Sequence, residues 1–275
     1  MTVPADGEPA STAAERWADQ LGSWGLPDEI VAQAPISPWS HDVRTFVADD
    51  TIDRSSTSAR WAREVLPPAG GTVLDVGCGG GRAALALVPP ATELIGVDSS
   101  GAMLDAFVEA AESAGVARRT VHGAWPEVAP ATPVADVVVC HNVAYNVADI
   151  APFLLALSAH ARLAVVLEVP TRHPMSAWSA AWRHFWDLDR PDGPTGDDLV
   201  AVVAELGLDP EHATSPRSPV SRFAEDATSL VAGARRRLCL SEDRDAELAA
   251  WLAEHPPAWP DTALTIRWPG LAEAE

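Results

Sequence analysis

The segment Leu74-Asp75-Val76-Gly77-Cys78-Gly79-Gly80-Gly81-Arg82 constrains this chain more than any other. The residues leading into it, Thr72 to Val76, are short, apolar and β-branched, the pattern of a strand buried on both faces. Those after it, Arg82 to Val88, read as a helix stopped by Pro89-Pro90. A chain that passes from a buried strand to a helix through such a glycine run turns tightly and leaves bare peptide groups on which a ligand can lie. Asp98 ends a second apolar strand, Glu93 to Val97, 23 positions after Asp75. A carboxylate at that place can accept hydrogen bonds from ribose hydroxyls.

The alternation continues. Helical patterns at 102–114 and 150–161 separate strands at 119–122, 135–140 and 163–169, with a weak strand at 211–215 and a last one at 262–268. Strands and helices of these lengths predict a doubly wound α/β fold, a mostly parallel seven-stranded sheet with helices on both faces. Residues 1–14 read as a flexible tail and 15–70 as an N-terminal helical cap, with helices at 15–24, 28–33 and 56–66. Residues 71–275 form the main domain, with helical additions at about 171–206 and 222–256. Within these additions helices are expected at 175–188, 195–206, 224–238 and 241–255. Thr195 is the expected N-cap of its helix, and Asp197 and Asp198 suit the dipole of its first turn.

Composition excludes several classes. No apolar run approaches the ~20 residues of a membrane span, and Met1 to Ser11 lacks a basic and an apolar signal region. Cys78, Cys140 and Cys239 are far apart and odd in number, which argues against a disulfide framework and a metal site. A cytoplasmic location is the default expectation. The net charge of −20 repels phosphate backbones, so no nucleic-acid partner is expected; Arg235-Arg236-Arg237 reads as a solvated or ion-paired helix face. All 19 basic residues are arginine, which removes the P-loop lysine and Schiff-base chemistry.

Two nucleotide-type frames compete at the glycines. A dinucleotide loop requires G-x-G-x-x-G, and counting from Gly77 the sixth position is Arg82. The spacing Gly77, Gly79, Gly81 behind Asp75 instead resembles motif I of the class I S-adenosylmethionine-dependent methyltransferases. The resemblance spans roughly residues 56–170 and implies a Rossmann-like methyltransferase fold that binds S-adenosyl-L-methionine. It implies that Asp75, Gly77, Cys78, Gly79 and Gly81 surround the amino-acid end of the cofactor. Asp98 would bind the ribose, and Ser99 and Met103 would flank the adenine. Many family members carry an acid near Gly123 to bind the adenine edge; this chain has none before Glu127, so backbone groups of Ala124 and Trp125 would serve. His141 and Asn142, ending the fourth strand, would line the sulfonium. The phrases His141 to Val147 and Arg190 to Asp198 are similar to a group of actinobacterial methyltransferase-domain proteins, with no acceptor attached.

Methyl transfer from a sulfonium needs alignment more than activation, and a base only when the nucleophile arrives protonated. His141 and Tyr145 are the catalytic candidates, histidine for its near-neutral pKa; Glu168 and His173 lie nearby, with structural roles favoured. Trp178, Trp182 and Trp186 recur on one helix face, as core packing of an added lobe or as an aromatic wall over the acceptor. Trp39, Phe46, Arg60 and Trp61 are candidate parts of a lid. The acidic surface and aromatic additions favour a small-molecule acceptor. A non-catalytic S-adenosylmethionine-binding regulatory or assembly protein is the alternative, and a nicotinamide-dependent oxidoreductase is a weaker one. Oligomeric state is left open, with a homodimer among the options.

Overall fold

A computed structural model describes residues 11–38, 52–217 and 227–273. The helix α1 (Ala13–Gly22) is opened by a capping box between Thr12 and Glu15, and the short α2 (Asp28–Val31) and α3 (Thr57–Val65) follow. The strand–helix series is then β1 (Gly71–Val76), α4 (Arg82–Leu85), β2 (Ala91–Asp98), α5 (Gly101–Ser113), β3 (Ala117–His122), β4 (Ala135–His141), α6 (Ile150–Ala159) and β5 (Ala161–Pro170). After it come α7 (Ser179–Trp186), α8 (Gly196–Glu205), β6 (Glu211–Pro216), α9 (Ala227–Arg237), α10 (Asp245–Glu254) and β7 (Thr262–Pro269).

The seven strands form one sheet in the order β3-β2-β1-β4-β5-β7-β6. All run parallel except β7, which is antiparallel to both β5 and β6. The order reverses between β1 and β4, and in open α/β sheets the crevice at the carboxyl ends of the strands beside that reversal is where ligands bind.

Side-chain alternation divides the core. Leu74, Val76, Ile95, Val138, Cys140, Val165 and Leu167 face one side, against Trp17 of α1, Phe153, Leu154 and Leu157 of α6, and Leu199, Val202 and Val203 of α8. Val73, Leu94, Val137, Val139 and Val166 face the other, against Ala59 and Ala62 of α3 and Phe107 of α5. The central strands are therefore buried on both faces, which explains their unbroken apolar sequence. The N-terminal segment expected as a cap contributes a layer to each face: α1 packs on α8 and α6, while α3 packs on β5, β7 and β4. Trp17 is fully buried and its indole N–H donates to the Val147 carbonyl at 2.9 Å. Trp61 is buried beside the Arg267 guanidinium, 4.9 Å from the ring centroid. Of the other lid candidates, Arg60 lies on α3, whereas Trp39 and Phe46 lie outside the described residues.

Element boundaries moved for local reasons; the helix expected at 241–255 opens with a 3-10 turn over Glu242–Arg244 before α10. The helix expected at 82–88 closes after Leu85, and β2 begins at Ala91, directly after Pro89-Pro90. The helix expected at 175–188 is a 3-10 turn over Pro174–Trp178 followed by α7, which ends on left-handed Asp187. Thr195 caps α8, with Asp198 completing a capping box. Trp178, Trp182 and Phe185 pack with Leu238, Leu248 and Leu252 as a third core, and Trp186 donates its indole N–H to the Leu238 carbonyl at 2.7 Å. The tryptophan face is thus the core of the added helical lobe. No described helix is long and apolar enough to cross a membrane.

Candidate active site

The glycine loop is shaped by three left-handed residues, Gly77 (φ 70°), Gly79 (φ 50°) and Gly81 (φ 84°). Side chains are disfavoured there twice over, by φ and by space. A Cβ on Gly77 would stand 2.4 Å from Val143 Cγ2, and one on Gly81 would stand 2.8 Å from Phe107 Cδ2. The turn is tied to the neighbouring strand: the N–H groups of Gly77 and Cys78 both donate to the Val97 carbonyl, at 2.8 and 3.0 Å. Cys78 is buried and its thiol has a raised pKa, because burial and the charges of Asp75 and Asp98 all oppose the thiolate. It packs the loop and offers no nucleophile.

Asp98 organises the next element. One carboxylate oxygen accepts from Gly79 N at 3.0 Å and the other from Ser100 N at 2.9 Å. The side chain therefore holds the glycine loop and the start of α5 together, and it remains partly exposed at the strand end. Each carboxylate oxygen keeps a lone pair for a further donor. Ser99 is exposed beside it, and Met103 is buried in the first turn of α5, where its N–H faces the capping Ser100 hydroxyl.

Asp75 sits behind the loop. It is only 1 % exposed, and one oxygen accepts the Ala84 N–H of α4 at 3.2 Å. Burial, aided by the charge of Asp98 and opposed by that hydrogen bond, raises its pKa to about 7. The sequence placed Asp75 in contact with the cofactor; the structure places its carboxylate under the loop, where it supports α4. At the end of β3, Gly123 N donates to the Asp98 carbonyl at 3.0 Å. Among the described residues the Ala124 and Trp125 N–H groups make no backbone hydrogen bond. The Trp125 side chain is buried, its indole N–H donating to the Phe153 carbonyl at 3.3 Å.

At the end of β4, His141 is paired in register with Glu168 on β5. Its Nε2 is buried without a hydrogen-bond partner. Burial lowers the His141 pKa and the Glu168 charge opposes that shift. Asn142 is left-handed (φ 62°), donates its N–H to the Glu168 carbonyl at 2.8 Å, and accepts from the Arg217 guanidinium on Oδ1 at 3.0 Å. Glu168 itself accepts from the buried Ser58 hydroxyl of α3 at 2.6 Å.

Tyr145 lies elsewhere. It is 4 % exposed, its hydroxyl donates to the Pro170 carbonyl at 2.9 Å, and its ring stacks on Trp17 at 5.5 Å. Burial and the charges of Asp198 and Asp197 raise its pKa. A buried phenol so engaged fills the junction of α1 and β5, the structural one of the two roles open to it from the sequence, and not an acceptor contact. His173 joins the same aromatic column, 4.0 Å from Trp24 between centroids. Burial, and behind it the Arg190 charge, lowers its pKa to about 4. Two residues of the site escaped the sequence reading. Ser58 was one hydroxyl among several that could cap α3, a role Ser56 fills, and Arg217 followed a weak strand with nothing to distinguish it.

Residues 73–164, which carry the loop, Asp98 and the β4 end, match the family model described as a methyltransferase domain. That match covers about a third of the chain. No curated protein matches the chain. An S-adenosylmethionine-dependent methyltransferase from Geobacter sulfurreducens, solved with S-adenosyl-L-homocysteine, superposes with a TM-score of 0.53 at 18 % identity, over 82 % of this chain and 97 % of its own. One from Thiobacillus denitrificans, solved with the same ligand, gives 0.52 at 17 % identity, over 83 % and 96 %. YjhP from E. coli gives 0.53 at 18 %, over 82 % and 97 %. At these identities the likeness establishes the fold alone: this chain is built on the same seven-stranded sheet as those proteins.

Proposed function

We propose that the chain is an S-adenosylmethionine-dependent methyltransferase that moves a methyl group to an O, N or C nucleophile of a small-molecule acceptor by in-line displacement. The observation that carries this reading is the coupling of Gly79 to Asp98. A single hydrogen bond of 3.0 Å fixes a bare peptide loop beside a carboxylate at the end of β2, the juxtaposition that an amino-acid end and a ribose require. The residues fit the cofactor in further respects. Gly77, Cys78, Gly79 and Gly81 form a cradle of backbone groups, and Asp75 holds it from below. Asp98 takes the ribose hydroxyls, Ser99 and Met103 flank the adenine, and the free N–H groups of Ala124 and Trp125 meet its edge.

When bound, the cofactor supplies a methyl group on a sulfonium; transfer joins it to the acceptor lone pair and leaves the electrons of the broken C–S bond on sulfur. His141 and Asn142 line that end. His141 Nε2, neutral through burial and unpartnered, accepts the nucleophile's proton where it carries one. Orientation supplies most of the acceleration.

Calorimetry with S-adenosylmethionine, its demethylated product and NAD tests the reading. The first two bind and NAD does not; binding of NAD alone overturns it. Asp98→Ala weakens cofactor affinity by ~1–3 kcal/mol, the scale of lost hydrogen bonds to a charged group. Unchanged affinity in a folded variant removes the ribose assignment.

A further inference from the structure

In a chain of net charge −20, arginines commonly find acids. Arg119 pairs with Glu93, Arg183 with Asp189, Arg235 with Asp245, Arg244 with Glu247, and Arg267 with Glu64 and Glu211. Arg217 does not. It is partly buried, its backbone N–H is held by the Asp261 carbonyl at 2.6 Å, and its guanidinium donates to the Asn142 amide oxygen. Among the described residues no carboxylate forms an ion pair with it and the Asn142 oxygen is its one side-chain hydrogen-bond partner, so further guanidinium N–H donors remain there. Arginine can only donate, which fixes the Asn142 amide: Oδ1 faces Arg217 and the NH2 group points away as a further donor.

Asn142, which Arg217 reaches, directly follows His141 at the carboxyl end of β4. The buried His141 Nε2 has no partner, and a buried polar atom without one is expected to meet a ligand or water. Glu168 lies between the two: it is in register with His141, and its charge supports the protonated forms of both His141 and Arg217. The Ser58 hydroxyl holds the Glu168 carboxylate at 2.6 Å. Asn142 adopts a left-handed backbone (φ 62°), a conformation asparagine tolerates better than most residues, and its amide reaches Arg217 from there. Donors at one end and an unpartnered nitrogen at the other describe a site with two ends of different chemistry.

We infer that the acceptor carries a carboxylate-class anionic group, held by the Arg217 guanidinium and the Asn142 amide, with its nucleophilic end directed at His141 Nε2. The inference rests on the methyltransferase reading above. Guanidinium binds carboxylate as a two-pronged planar donor, and the Asn142 NH2 adds a neutral third donor. Glu168 acts on both ends; the Arg217 charge and the Asn142 donor offset it at one end, while the His141 end, with no cation of its own, suits a hydroxyl or an ammonium and not an anion.

The test uses the full chain, isotope-labelled and saturated with S-adenosyl-L-homocysteine, titrated with benzoate and with its neutral analogue benzamide. The His141 Cε1–H and Asn142 side-chain NH2 resonances report binding. Benzoate is expected to shift both saturably, with benzamide at least tenfold weaker. Arg217→Gln weakens benzoate at least tenfold and leaves benzamide unchanged; Arg217→Lys, which keeps the charge but not the fork, falls between. No saturable shift with benzoate, equal affinity in Arg217→Gln, or benzamide binding as tightly as benzoate overturns the inference. Calorimetry of the homocysteine product on the same samples separates the two failures. A chain that does not bind it sinks the methyltransferase reading, whereas one that binds it and ignores the carboxylate sinks only the acceptor class.

Discussion

The two halves of the carboxyl edge are assembled in opposite ways. At β1 and β2, a continuous stretch of chain supplies everything: the left-handed glycines, the N–H groups on Val97, and Asp98 on Gly79. At β4 and β5, side chains meet from distant segments, Ser58 with Glu168 across 110 positions and Asn142 with Arg217 across 75. The first half acts through backbone geometry and the second through side-chain chemistry. A fold built this way can hold one cofactor by shape while its acceptor end changes residue by residue.

Gly77→Ala attacks the backbone half and carries the largest expected effect. The added methyl meets Val143 Cγ2 at 2.4 Å and the residue must keep φ near +70°. Overpacking and left-handed strain each cost ~1–3 kcal/mol, so denaturant unfolding should show a loss of about 2–5 kcal/mol. Adding Val143→Ala restores the steric share and leaves the conformational one, a separation the double-mutant cycle reads directly. A neutral Gly77→Ala would break the contrast between the halves.

Asp75→Asn sharpens the same half through pH. The folded-state pKa of Asp75 is raised from 3.8 to about 7, so the native state holds a proton that the unfolded chain has released. Stability from this group is full below about pH 4 and declines as pH rises toward 7, by as much as ~4 kcal/mol in total. Asn cannot ionise and its oxygen can still accept the Ala84 N–H. The ligand-free variant should therefore melt higher than the parent at pH 8 and nearly with it at pH 4. His173 slopes the other way: its pKa is lowered to about 4, so its contribution is lost as pH falls from 6.5 toward 4. It is present in both proteins and cancels in the difference. A variant no more stable than the parent at pH 8 would show that the buried carboxylate carries no such penalty.

The contrast also explains what could be read from the sequence. The apolar strands, the glycine spacing, Asp98 and the Thr195 cap are local signals, each decided within a few neighbours, and they gave the seven strands within about two residues. The 3-10 turn at Pro174–Trp178 was hidden because its aromatic spacing continues that of α7. Asp75 was assigned by motif position and Tyr145 by its place near a strand end, and only packing shows both side chains turned into the protein. Arg217 and Ser58 carry no local pattern; their meaning arises when β4, β5, α3 and the β6 end converge.

Ser58→Ala touches the side-chain half alone and carries the smallest expected effect. The Ser58 hydroxyl is buried and donates to Glu168 at 2.6 Å, also meeting the Ser56 hydroxyl at 3.2 Å. A hydrogen bond to a charged group contributes ~1.5–3 kcal/mol when fully desolvated. Glu168 remains partly exposed, so water replaces much of what is lost and about 0.5–1.5 kcal/mol is expected in thermal unfolding. No part of the glycine loop or of Asp98 touches Ser58, so S-adenosyl-L-homocysteine affinity should stay within twofold of the parent. The His141 titration should move, because the carboxylate that favours its protonated form is no longer fixed opposite it. Equal loss of cofactor affinity and stability would mean that the two halves are one cooperative unit, and the acceptor end could then not vary independently of the cradle.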